Sequence, residues 1–131
     1  MPDRSLVLNA KAAIARHVQW KITLQLAITM QEQLSAEHLH QILKYRDCAI
    51  GRWLDSAATL PVRGRQEYID LVQKHIEFHN EMRKVSDLIG AKRFEDAARS
   101  IAPLSSFIQS SMALANAMMV YDRVAAMVVP L

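Results

Sequence analysis

Two histidines stand four residues apart in the stretch His75-Ile-Glu-Phe-His79. At that spacing both imidazoles lie on one face of a helix, one turn apart, near enough to close on a single metal ion. The surrounding pattern turns that face inward. Tyr68, Val72, His75, His79, Met82 and Ile89 recur at intervals of three, four and seven, which is one helical stripe. An imidazole on an apolar stripe needs a partner, because an unsatisfied polar group away from water is costly. A metal ion would satisfy both rings at once. The simpler alternative is that each ring turns to a backbone carbonyl or to the rim of the core.

The elements that must position these rings follow from composition and spacing. The 131 residues fit one domain, 1–131, and are rich in Ala, Leu, Met, Gln, Glu, Lys and Arg, with few Gly and Pro, a composition that favours helices. Residues 5–34 read as one long helix with Ser5 as its N-cap. Ala10, Ala13, His17, Trp20, Leu24 and Ala27 form its inner seam, so His17 faces the core. A second apolar row, Ile14, Val18, Ile22 and Leu26, calls for a further neighbour, which can come from another chain. Residues 31–46 are more polar. Their His38 and His40 flank Leu39, share no helical face and read as surface residues.

From Asp47 the chain reads as a short helix that carries Cys48 and ends near Ser56 to Ala58. Gly51 inside it costs about 1 kcal/mol relative to Ala, which points to close packing or a bend. Trp53 reads as an anchor against the long helices. Residues 59–64 form a loop. The third main helix spans 65–89, with Gly90 as its C′ residue. The last helical region runs from 92 to 128, with Phe94, Ala97, Ile101, Leu104, Ile108, Met112, Ala115 and Met119 as its inner stripe. Pro103 must kink this helix or start a new one, and Pro130 closes the chain. The fold class is therefore all-α: an antiparallel four-helix bundle with a short additional helix carrying the cysteine.

Several function classes find no support. The net charge of +3 is mild and the basic residues are scattered without interleaved aromatics, so nucleic-acid binding is not expected. Residues 100–121 carry no charge, but their serines, Gln109, Asn116 and Pro103 argue for a buried helix and against a membrane span. The single cysteine excludes an internal disulfide and suggests a reducing, cytoplasmic setting, and no signal-peptide pattern opens the chain.

On such a bundle the inward faces bring together His17, Cys48, His75 and His79. Three imidazoles and a thiolate make a tetrahedral set for Zn2+, which accepts nitrogen and sulfur, whereas magnesium and calcium prefer oxygen. Copper and nickel would also bind such donors. Cys48 taken alone could equally be a small buried hydrophobe.

The arrangement His17-x-x-Trp20-Lys21, Cys48-x-x-Gly51-x-Trp53 and His75-x-x-Phe78-His79 resembles the chemoreceptor zinc-binding (CZB) domain family in order and separations, over most of the chain. Arg52 stands where that family usually has lysine. The resemblance implies zinc held by His17, Cys48, His75 and His79, with Trp20, Gly51 and Trp53 packing around the site. It also implies a bacterial, mostly cytoplasmic homodimer. Its output would be a chemoreceptor signalling region or a diguanylate cyclase, regulated by zinc occupancy and linked to oxidants through the cysteine.

Three roles for zinc then remain: a regulatory sensor, a structural staple of a helical dimerisation module, or a catalytic ion. Catalysis would need an open coordination position and a general base. Glu77, two residues from each histidine, points away from both, since two residues turn the helix by about 200°. In the zinc-protease motif the glutamate directly follows the first histidine, a place held here by Ile76. The reading is therefore of a non-enzyme. A helical pattern that begins soon after Met1 suits a stand-alone protein or an N-terminal sensor.

Overall fold

The structure, a computed structural model, describes residues 6–128. Ser5 and Pro130, expected to mark the first and last helix boundaries, lie outside them. Among the described residues the chain is helical, without strands: α1 (Ala10–Met30), α2 (Ala36–Leu43), α3 (Ala49–Leu54), α4 (Gln66–Gly90), α5 (Phe94–Ser100) and α6 (Ser106–Val128), with 3-10 turns at Tyr45–Asp47 and Ala57–Val62. The all-α expectation holds.

Directions follow from the contacts. Helix α1 and helix α4 run the same way: His17 lies on Phe78, with ring centroids 5.4 Å apart, and Gln33, just past α1, donates to the carbonyl of Ile89 at the far end of α4. Helix α6 runs back along both. Its first residue, Ser106, bonds Glu81, and Phe107 packs on Phe78, whereas Tyr121 and Asp122 near its end hold the backbone of Leu6, Leu8 and Ala10. The arm made of α2, α3 and the turns between them descends along α4, touching it successively at His79, His75 and Tyr68. The core between the long helices is built from Leu24, Leu71, Phe78, Met82, Phe107, Leu114 and Met118, all essentially closed to solvent.

The ends of the helices differ from the sequence expectation in instructive ways. The described cap of α1 is Asn9, in the left-handed region, and Asp122 accepts the N–H groups of Leu8 and Ala10, satisfying donors that a helix start leaves free. Gly90 is not the C′ residue of α4. The helix includes it, and Lys92 takes the left-handed conformation at φ 62°, with Lys92 N–H bonding Ile89 O and Arg93 N–H bonding Leu88 O. The same device closes α1 at Gln31.

The expected stripe of the last region holds only as far as Ile101. The chain breaks at 101–105, where Leu104 adopts φ 69° and is 86% exposed, and α6 starts afresh at Ser106 in a new phase. Its buried residues are Phe107, Leu114, Met118, Tyr121 and Ala125, while Met112 and Met119 face outward. No helix among the described residues is long and apolar enough to cross a membrane.

Candidate metal centre

The seam of α1 forms as its spacing predicts, and Ala10, Ala13, His17, Leu24 and Ala27 are buried. His17 is thereby presented to α4, where His75 and His79 sit on the buried face. The three imidazoles come together. One ring nitrogen from each of His17, His75 and His79 lies within 4.8 Å of the other two. Ring centroids of His75 and His79 are 4.6 Å apart, and those of His17 and His75 6.0 Å.

Cys48 approaches from the descending arm. It is the N-cap of α3, and its Sγ accepts the Gly51 N–H at 3.3 Å. The sulfur stands 3.1 Å from His75 Nε2 and 3.3 Å from the Tyr45 carbonyl, to which its S–H can donate. All four residues picked out in the sequence thus meet in one place, with Cys48 at the edge nearest His75.

The backbone orients the rings. His17 Nδ1 lies 3.3 Å from Ala13 O, one turn back on its own helix. His79 Nδ1 lies 3.1 Å from Ile42 O, a carbonyl in the last turn of α2 with no partner further along that helix. The simpler alternative, rings satisfied by carbonyls, is therefore half right: it accounts for Nδ1 and leaves Nε2. The Nε2 atoms of His17 and His79 are buried without a hydrogen-bond partner. Two orphaned acceptors facing one point, each ring fixed through its other nitrogen, is the arrangement metal-binding histidines adopt.

Electrostatics agree. Burial pushes the His17 imidazole down from 6.5 to about 4, against a smaller opposing pull from the Ala13 carbonyl and with further lowering from His79 and Arg16. His75 is driven to about 2, first by burial and then by His79 and His17, and His79 is lowered chiefly by burial. All three are neutral near pH 7, the form that binds metal. Burial raises the Cys48 thiol, opposed by the N–H groups of Gly51 and Ile50 and by Arg52, so a metal would have to displace its proton.

The donors fit zinc. Four-coordinate zinc at Zn–N of about 2.0–2.1 Å sets nitrogens roughly 3.4 Å apart, so the three imidazole nitrogens, within 4.8 Å of one another, need to close by at most about 1.4 Å. Among the described residues no carboxylate joins the cluster. Glu77 bonds Gln73 and Lys74 instead, at 3.3 Å each.

Gly51 accounts for how the sulfur gets there. A Cβ at this position would collide with the Tyr45 carbonyl oxygen and stand 2.9 Å from Arg46 Cα. Only glycine lets the 45–47 turn lie on α3 and aim Cys48 at His75. Gly51→Ala is expected to cost about 1–3 kcal/mol by overpacking and to weaken zinc binding by roughly tenfold or more. Gly64→Ala, with open space around it, is the control. Urea melts and zinc titrations check both variants, and equal affinity in Gly51→Ala would refute the account.

Trp20 lies edge-on to His38 at 5.8 Å in a cleft lined also by His17 and Cys48, and Trp53 lies edge-on to Tyr121 at 5.2 Å. His38 and His40 are exposed, and His40 bonds Asp47. Sequence reasoning missed Tyr45, whose ring lies 6.1 Å from that of His75 and 6.4 Å from that of His79. Its only sequence signal was an aromatic three residues before Cys48.

An all-α bundle with three buried imidazoles and a half-buried thiol beside them is a candidate zinc-binding domain. A family model described as the chemoreceptor zinc-binding domain, CZB, matches residues 17–86, more than half of the chain, and the chain belongs to that family. The match begins at His17 and takes in Cys48, His75 and His79. No curated protein and no solved structure matches the chain.

Proposed function

We propose that this protein is a regulatory zinc-binding domain that holds one Zn2+ through His17, Cys48, His75 and His79 and passes its occupancy to a signalling output. The observation that carries the reading is the pair of buried, partnerless Nε2 atoms on His17 and His79, clustered with His75, whose own Nε2 lies 3.1 Å from the Cys48 sulfur. Bound there, zinc would neutralise the thiolate and tie the descending arm to α1 and α4. The output, by family membership, is a chemoreceptor signalling region or a diguanylate cyclase, in the same chain or a partner, in the bacterial cytoplasm. We assign no catalytic step, since Glu77 is turned to Lys74 and Gln73.

A sensor rather than a staple is supported by the division of labour in the fold. The long helices share an apolar core that extends well beyond the cluster, through residues such as Leu24, Met82, Ile89, Leu114 and Met118, so the bundle should outlast metal removal. Cys48 caps a helix of only six residues, too short to be stable by itself, whereas the three histidines sit on long helices. Cys48→Ala should therefore keep the helical circular dichroism, retain weakened zinc binding and lose any zinc- or oxidant-dependent change in Trp53 fluorescence, read in a Trp20→Phe background. Outright unfolding of Cys48→Ala would favour the staple, and unchanged affinity would remove Cys48 from the ligand set.

The same reading includes a homodimer through α1 and α6. Val18, Ile22, Leu26 and Met30 stand every fourth residue on α1 and are 49–61% exposed, and Met112 and Met119 lie on the outer face of α6. Such an apolar strip is usually covered. Light scattering at micromolar concentration should give twice the chain mass, and Ile22→Glu with Leu26→Glu should halve it. A native monomer would overturn the dimer.

A further inference from the structure

The centre opens to solvent on one side through a cleft of about 500 Å³ between α1 and the descending arm. That is the size of a small-molecule pocket. His17 and Cys48, donors from two separate elements, both line it, so the cleft leads to the cluster. Two smaller cavities touch the cluster elsewhere: one at His75 beneath Tyr45 and Gly51, of about 70 Å³, and one at His17 between α1 and α6, of about 180 Å³.

The cleft is cationic. Arg16 precedes His17 on α1, and Arg52 stands four residues after Cys48 on α3. Both residues are exposed, and neither forms an ion pair among the described residues. The acid in the cleft lining, Asp47, is held by His40 at 3.0 Å. Trp20 adds an apolar wall. Two unpaired guanidinium groups repel a bare divalent cation and attract an anion, and a concave, partly apolar wall focuses that field.

We propose that the Arg16–Arg52 cleft is the entrance to the metal centre and that it selects zinc carried as a small anionic chelate, of the carboxylate class, over the bare ion. The inference rests on the reading of the cluster as a zinc centre. The carrier's donors are exchanged for protein donors as the ion passes inward, the Cys48 thiol gives up its proton to solvent in the cleft, and the emptied anion leaves the way it came.

Cys48 is the single thiol of the chain, so it reports on the entrance without any metal. In the metal-free protein it is alkylated with iodoacetate, an anion, and with iodoacetamide, which is neutral. In each case the sulfur forms a bond to carbon and iodide leaves. The ratio of the two rates cancels the thiolate fraction and isolates reagent charge. The ratio should exceed that of a free cysteine peptide by roughly three- to tenfold at low salt, and should fall to the peptide's value at high salt and in Arg16→Glu with Arg52→Glu. Loading from the anionic zinc nitrilotriacetate complex should slow by a similar factor in the double variant, at unchanged final stoichiometry. A native ratio equal to the peptide's, a ratio insensitive to charge reversal, or a Cys48 that neither reagent reaches would overturn the entrance. Absence of stoichiometric zinc in the native chain would strike the metal-centre reading instead, and the alkylation ratio would still decide the charge selectivity of the cleft.

Discussion

Zinc affinity is expected to fall by at least about a hundredfold when His79 is replaced by alanine. Changing an outer-shell partner of a metal ligand typically costs 10–100-fold, and removing the ligand should cost more. His79 is 3% exposed, and its ring is set by the Ile42 carbonyl so that Nε2 can only face inward. No other side chain of the cluster can take its place, since Tyr45 offers a ring wall and Glu77 is bound elsewhere. Cys48→Ala should lose less, because the sulfur stands at the edge of the cluster beside His75 and leaves three imidazoles behind. Competition against a chelator of known affinity, with stoichiometry by native mass spectrometry, separates the two variants. Native-like affinity and one equivalent of zinc in His79→Ala would end the assignment.

The metal-free protein should lose stability as the pH is lowered from about 6.5 towards 4. His17 has its folded pKa near 4 against 6.5 when unfolded, so between these values the unfolded chain binds more protons. Stability then falls with falling pH, and the loss from His17 alone levels off near pH 4 at about 3 kcal/mol. His75 and His79 are shifted in the same direction and add to the slope. Zinc competes with those protons, so the loaded protein should hold its stability to lower pH. Urea midpoints at pH 7 and pH 5, with and without zinc, give the test. Equal midpoints for the metal-free form would mean that the imidazoles are not buried neutral.

The centre was more legible in the sequence than the frame around it. His17, His75 and His79 lie on uninterrupted helices, where spacing alone fixes the face, and Gly51 marked a close approach that only glycine allows. What escaped depends on backbone geometry. The break at 101–105 reset the helical phase, so Leu104 and Met112 moved from the expected inner stripe to the surface. The carbonyls of Ala13 and Ile42 that orient two imidazoles have no side-chain signature. Asp122 caps a helix more than a hundred residues earlier in the chain, a pairing no local pattern can announce. Left-handed Gln31 and Lys92 end helices where glycine would have been expected.

The position of Cys48 at the N-cap of α3 joins two equilibria that would otherwise be separate. The atom that faces the imidazoles also accepts the first-turn N–H of Gly51, in a helix too short to be stable by itself. By reciprocity, whatever favours winding of that turn favours occupancy of the centre, and occupancy favours winding to the same degree. Ala49 and Arg52 are exposed on this helix. A change of about 1 kcal/mol in helix preference at either position corresponds to at most roughly fivefold in apparent affinity, the limit in which the turn winds only with the metal bound. If the cluster holds zinc as proposed, its affinity would be adjustable from residues outside the cluster, and could drift while all four cluster residues stay the same.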